Sequence, residues 1–84
     1  MKIIIDVREH FEFKMGHVEN AINIPLTKLI AGASKLEDVS KDTQLILYCR
    51  TGSRSAMAMN ILHSLGYTNL INGINKDHVK AKYL

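Results

Sequence analysis

A chain of 84 residues has room for a single small domain, spanning 1–84, and its 46% of apolar residues can fill only a modest core. Charged residues make up 23% in both signs without long blocks, which excludes a disordered chain, and no apolar run approaches the ~20 residues that cross a bilayer, so no membrane partner is expected. The net charge of +3 is spread over the tail lysines Lys76, Lys80 and Lys82 and the pair Arg50 and Arg54, with five scattered aromatics and no stacking stripe, so nucleic acid is not an expected partner either.

Taken in chain order, Ile3-Ile4-Ile5 is a β-branched apolar run of the kind found in strands covered on both faces. Glu9 to Met15 predicts a short helix ended by Gly16, and Ala21 to Ile24 a brief strand. Pro25 then starts a helix through Leu26, Leu29 and Ile30. Lys35 to Val39 adds a helical turn before Ser40-Lys41-Asp42 punctuates the chain. A second continuous apolar run, Leu45-Ile46-Leu47-Tyr48, leads into Cys49. Beyond it Ala58, Ile61, Leu62 and Leu65 fall on one face of a helix closed by Gly66. Tyr67 to Ile71 predicts another strand, Asn72-Gly73 a turn, and Asn75 the N-cap of a last helix reaching Tyr83. Strands alternating with helices in this way predict an α/β domain: a parallel sheet of about four strands flanked by helices on both faces.

Cys49 is the one cysteine, which excludes an internal disulfide and a zinc site built from several thiolates. His10, His63 and His78 show no ligand spacing, so neither a metal nor a cofactor is expected, and Met57 and Met59 are read as helix surface or gap-fillers. Cys49 stands at the carboxyl end of a buried strand and just before a helix, the edge where open α/β sheets bind ligands and where helix N-terminal amides favour an anion. Such a thiol is expected to ionise near neutral pH. Arg50, Thr51, Gly52, Ser53 and Arg54 are poor core material. Gly52 lets the backbone turn so that the amides of residues 50 to 54 converge, with the Thr51 and Ser53 hydroxyls as further donors and Arg50 and Arg54 recruiting an anion. Asp6 and Arg8 share this edge and read as a structural ion pair near the site.

Cys49-Arg50-Thr51-Gly52-Ser53-Arg54 resembles the active-site loop of single-domain rhodanese-like sulfurtransferases. Ile5-Asp6-Val7-Arg8-Glu9, Phe13, Gly16-His17-Val18 and Ala21-Ile22-Asn23-Ile24-Pro25 resemble the amino-terminal motif of the same family. The two signatures reach from residue 3 to residue 74. The resemblance implies that Cys49 takes sulfur from a small anionic donor such as thiosulfate, holds it as a persulfide without a general base, and yields it to cyanide or a thiol. It implies that Arg50 to Arg54 bind the substrate and that His17 braces the backbone. The chain opens directly at the Asp-Val-Arg strand, so four parallel strands are expected in place of five. It carries Asn20 where the family commonly has Gly, and its ending is reduced to Gly73-Ile74. Two other readings stay open: a relay that receives persulfide from a protein partner with little thiosulfate turnover, and a binding module without catalysis, against which the intact Cys49 argues. A phosphatase needs an arginine where Ser55 stands, since Arg54 comes one position early. The expected location is the cytoplasm, or the periplasm had a signal peptide been removed.

Overall fold

The two apolar runs form the middle of one sheet. In the computed structural model, which describes residues 1–84, β1 (Lys2–Asp6) and β3 (Gln44–Cys49) pair in parallel with Ile3 opposite Leu45, Ile5 opposite Leu47 and Asp6 opposite Tyr48. β2 (Ile22–Asn23) lies outside β1 and β4 (Leu70–Asn75) outside β3, giving four parallel strands in the order β2-β1-β3-β4. The crossovers carry α1 (His10–Lys14), α2 (Leu26–Ile30) with a 3-10 turn at Ser34–Leu36, and α3 (Ser53–Ser64); α4 (Lys76–Tyr83) follows the last strand. No helix is long and apolar enough to cross a membrane.

Period-two alternation along the central strands sorts the core into two layers. Ile5, Leu45, Leu47 and Cys49 point toward α2 and α3, where they join a cluster with Leu29, Leu36, Ala58, Leu62 and Tyr67. Ile4, Ile46 and Tyr48 point the other way and pack with Val18 and with Val79 of α4. Each fully buried aliphatic side chain contributes about 1.5–3 kcal/mol, so these two layers hold the sheet between its helices. Asn20 adopts φ 67°, a left-handed conformation that Asn accepts more readily than most residues.

Two expectations need correction. Asn72-Gly73 is not a turn: β4 runs straight through it, and a bulge absorbs one residue, since Leu47 pairs with Asn72 and Tyr48 with Ile74. Gly73 is required there by closeness, because a Cβ would lie 2.6 Å from Val79 Cγ2 and 3.0 Å from Ile46 Cγ2. Leu65 is also not part of the buried face. α3 ends at Ser64 and Leu65 sits at its C-cap, exposed, while Ser55 takes the first buried position of the helix.

Candidate active site

Because Leu45, Leu47 and Cys49 share one face of β3, the strand delivers the Cys49 thiol beneath the start of α3. The intervening loop is three residues long, and Gly52 closes it as the N-cap of α3 with φ 94°, a left-handed conformation that other residue types rarely adopt. This turn directs the Gly52 N–H back at the sulfur, 3.1 Å away. Cys49 is only 2% exposed, so its sulfur lies at the floor of the loop and close to the core. Burial pushes the thiol up. The amides of Ser55, Thr51 and Gly52 pull it down, as does the Ser55 hydroxyl 3.6 Å away whenever its proton faces the sulfur, and the balance falls below the ordinary thiol value. The one amide within hydrogen-bond reach of the sulfur is that of Gly52, inside the stretch 50 to 54, with the Ser55 hydroxyl beside it.

The other predicted loop residues separate into three groups. Thr51 and Ser53 are exposed, with their hydroxyls 3.4 Å apart. Arg50 is exposed at the rim and shares a cavity of about 300 Å³ with Asn75, Lys76 and Asp77, and Asn75 is the register partner of Cys49 on β4. Arg54 turns sideways: its guanidinium makes a two-pronged contact with Glu12 of α1, at 2.6 and 3.0 Å. The pairing raises Arg54 above its ordinary value and lowers Glu12 to about 2, chiefly through the Arg54 hydrogen bonds. The sequence did not reveal Glu12, because 42 residues separate it from Arg54 and nothing local links them.

Asp6 and Arg8 form a buried ion pair on the α4 side of the sheet. Arg8 Nη2 and Nε donate to the carboxylate at 2.7 to 3.1 Å, Nη2 also donates to the Gly16 carbonyl, and the Tyr48 hydroxyl donates to Asp6 Oδ2 at 2.8 Å. Tyr48 accepts from the Val18 N–H in turn, which ties the loop at 16–18 to β3 immediately before Cys49. Burial pushes the Tyr48 phenol up to about 12, so it stays protonated and keeps donating. His17 stacks on Phe13 and makes a 2.9 Å contact with the Phe13 carbonyl, a brace for the chain turn. The largest cavity, about 340 Å³, is lined by His10, Asn23, Lys28 and Lys35 and includes no residue of the cysteine loop.

Two residues at the site carried no sequence signal. Ser55 is fully buried, and its hydroxyl lies against both Cys49 and Asn72. Asn72 sits on the β4 bulge and donates to the Gly52 carbonyl at 3.0 Å, anchoring the loop from below.

A thiol at the carboxyl edge of a parallel sheet, facing amides at a helix start, is the arrangement expected of the resemblance drawn from the loop. The family model for the rhodanese-like domain matches residues 1–76. The chain belongs to the rhodanese-like family. A provisionally named mitochondrial thiosulfate sulfurtransferase of Schizosaccharomyces pombe is 42% identical over 81 residues, covering 83% of this chain and 56% of that protein. The adenylyltransferase and sulfurtransferase UBA4 of Candida albicans is 34% identical over 90 residues, covering 95% of this rhodanese-like chain and 20% of UBA4. This chain thus spans little more than half the length of the first of these relatives and a fifth of the second. Among solved structures, a rhodanese with anions from E. coli superposes with a TM-score of 0.82 at 31% identity, covering 93% of this chain and 91% of that one.

Proposed function

We propose that this rhodanese-like domain is a sulfurtransferase that carries sulfur as a persulfide on Cys49, taking it from thiosulfate or another small anionic donor and passing it to cyanide or a thiol. The observation that carries this reading is the Gly52 N–H aimed at the Cys49 sulfur from 3.1 Å at the start of α3. The Cys49 thiolate attacks the outer sulfur of the donor; a new S–S bond forms, the donor's own S–S bond breaks, and sulfite leaves with the electron pair. The outer persulfide sulfur then bears the charge, and amides already in place solvate it without reorganisation. Thr51 and Ser53 offer hydroxyl donors at the mouth. Arg50, exposed beside Lys76, meets the sulfonate end of the donor, while Arg54, its charge met by Glu12, fixes the loop against α1.

The experiment is intact-mass measurement after thiosulfate treatment. Gain of one sulfur, absent in Cys49→Ser and reversed by cyanide, supports the reading; an unchanged mass overturns it. Similarity to a protein named both adenylyltransferase and sulfurtransferase favours a second reading, in which the sulfur comes from or goes to a protein partner. A relay of that kind would accept sulfur from a protein persulfide and release it only slowly to cyanide.

A further inference from the structure

The Ser55 hydroxyl has one proton and three neighbours that can take it. Its oxygen lies 2.6 Å from Asn72 Oδ1, 3.1 Å from the Gly52 carbonyl and 3.6 Å from Cys49 Sγ. The Asn72 carboxamide cannot turn over, because its two ends are fixed by partners of opposite kind: Nδ2 donates to the Gly52 carbonyl at 3.0 Å and Oδ1 accepts the Ile74 N–H at 2.9 Å. A flip would set carbonyl against carbonyl and N–H against N–H. The atom that Asn72 presents to Ser55 is therefore an acceptor, and a separation of 2.6 Å between two oxygens requires the Ser55 proton to lie between them.

With its proton engaged there, Ser55 shows the sulfur a lone pair. That arrangement complements the neutral thiol, whose S–H can donate to Ser55 Oγ. The thiolate needs the reverse: its proton departs to water, and the Ser55 proton must swing from Asn72 to the sulfur. We propose that Asn72 is a positioning residue that competes with the Cys49 sulfur for the single Ser55 proton, and thereby governs how readily Cys49 is released as a nucleophile. The proposal deepens the sulfurtransferase reading and rests on Cys49 being its nucleophile, but its test reads the thiol directly. Around the loop the charged groups are Arg50 and Arg54 of the loop and α3, Glu12 of α1, Asp6 at the end of β1 and Arg8 just after it, and Lys76 and Asp77 of α4. None of these is changed by exchanging Asn72 or Ser55, and because the exchange of Asn72 also frees the Gly52 carbonyl, the hydrogen-bond competition is read from the part of its shift that requires Ser55.

The experiment measures the rate of Cys49 alkylation by iodoacetamide against pH, on the full chain, for the wild type, Asn72→Ala, Ser55→Ala and the double variant, with circular dichroism confirming the fold. Asn72→Ala is expected to move the midpoint of the profile to lower pH and to speed alkylation at neutral pH roughly three- to tenfold. In the Ser55→Ala background the same exchange is expected to give no acceleration, since no proton remains to be redirected. Should Asn72→Ala fail to fold, Asn72→Ser withdraws the carbonyl oxygen while leaving a polar side chain on the bulge and carries the same expectation. A midpoint that stays or rises with Ser55 present, or an equal shift with and without Ser55, overturns the proposal. Sulfur uptake from thiosulfate by the wild type, read separately by mass, distinguishes this failure from failure of the proposed function.

Discussion

The Glu12–Arg54 contact joins α1 to the helix that begins at the cysteine loop, and replacing Glu12 by Gln tests what that contact contributes. Gln keeps the length of the side chain and the carbonyl oxygen that accepts the Glu9 N–H, but it loses the charge that meets the guanidinium. The carboxyl is lowered from 4.5 to about 2 in the folded chain, which for a dry pair would correspond to about 3 kcal/mol. Arg54 keeps 32% of its side chain in solvent and Glu12 12%, so screening reduces the contribution to about 1–2 kcal/mol. For a domain of this size that is a fall in Tm of about 5–15 °C. The sign of the pH dependence follows from the depressed carboxyl: the stabilisation is complete above pH ~4.5, where an unfolded chain ionises Glu12 as well, and is lost as pH falls toward 2. Thermal unfolding of wild type and Glu12→Gln, followed by circular dichroism at pH 7, 5 and 3, should show a Tm gap that is constant between the first two and smaller at the third. Equal Tm values at pH 7, or a gap that ignores pH down to 3, would refute the reasoning.

Three further outcomes follow from the same contacts. Gly73→Ala places a methyl 2.6 Å from Val79 Cγ2 and 3.2 Å from the Leu47 carbonyl, and should destabilise by about 1–3 kcal/mol in urea unfolding; a variant as stable as wild type would show that the β4 bulge relaxes freely. Tyr48→Phe strands the buried Val18 N–H and removes a donor from Asp6, with an expected loss of about 1–3 kcal/mol and faster amide exchange at Val18; unchanged exchange there would contradict the role given to the phenol. Arg50→Ala should raise the KM for thiosulfate several-fold with Tm unchanged, because the side chain is exposed and bound to no protein group, whereas an unaltered KM would remove Arg50 from donor recognition.

Much of the fold was legible because its signals are local. The runs Ile3–Ile5 and Leu45–Tyr48 declare strands covered on both faces, Pro25 stands at the head of α2, and Asn75 caps α4 with its side chain accepting from the His78 N–H. Asn72-Gly73 misled because its turn chemistry is the same whether the pair closes a hairpin or bulges within a strand; only the close approach of Val79 and Ile46 selects the bulge. The Leu65 expectation failed because a helical period says nothing of where the last turn ends. At the site, the loop from Cys49 to Arg54 could be read directly, since it is contiguous. Glu12, Ser55 and Asn72 could not. Each acts through a partner far along the chain or through a hydroxyl whose value depends on burial, and a buried serine looks in sequence like any helix-surface serine.

The account depends on the Cys49 sulfur being held as an anion by donors that the fold aims at it before any substrate arrives. Thiolate absorbance in the ultraviolet, followed as pH is raised and corrected by subtracting the Cys49→Ser signal, measures this without requiring any reagent to reach the buried sulfur. The predicted result is a midpoint clearly below the ~8.5 of a free cysteine. A midpoint at or above that value would contradict it, since burial would then outweigh the amides of Gly52, Thr51 and Ser55.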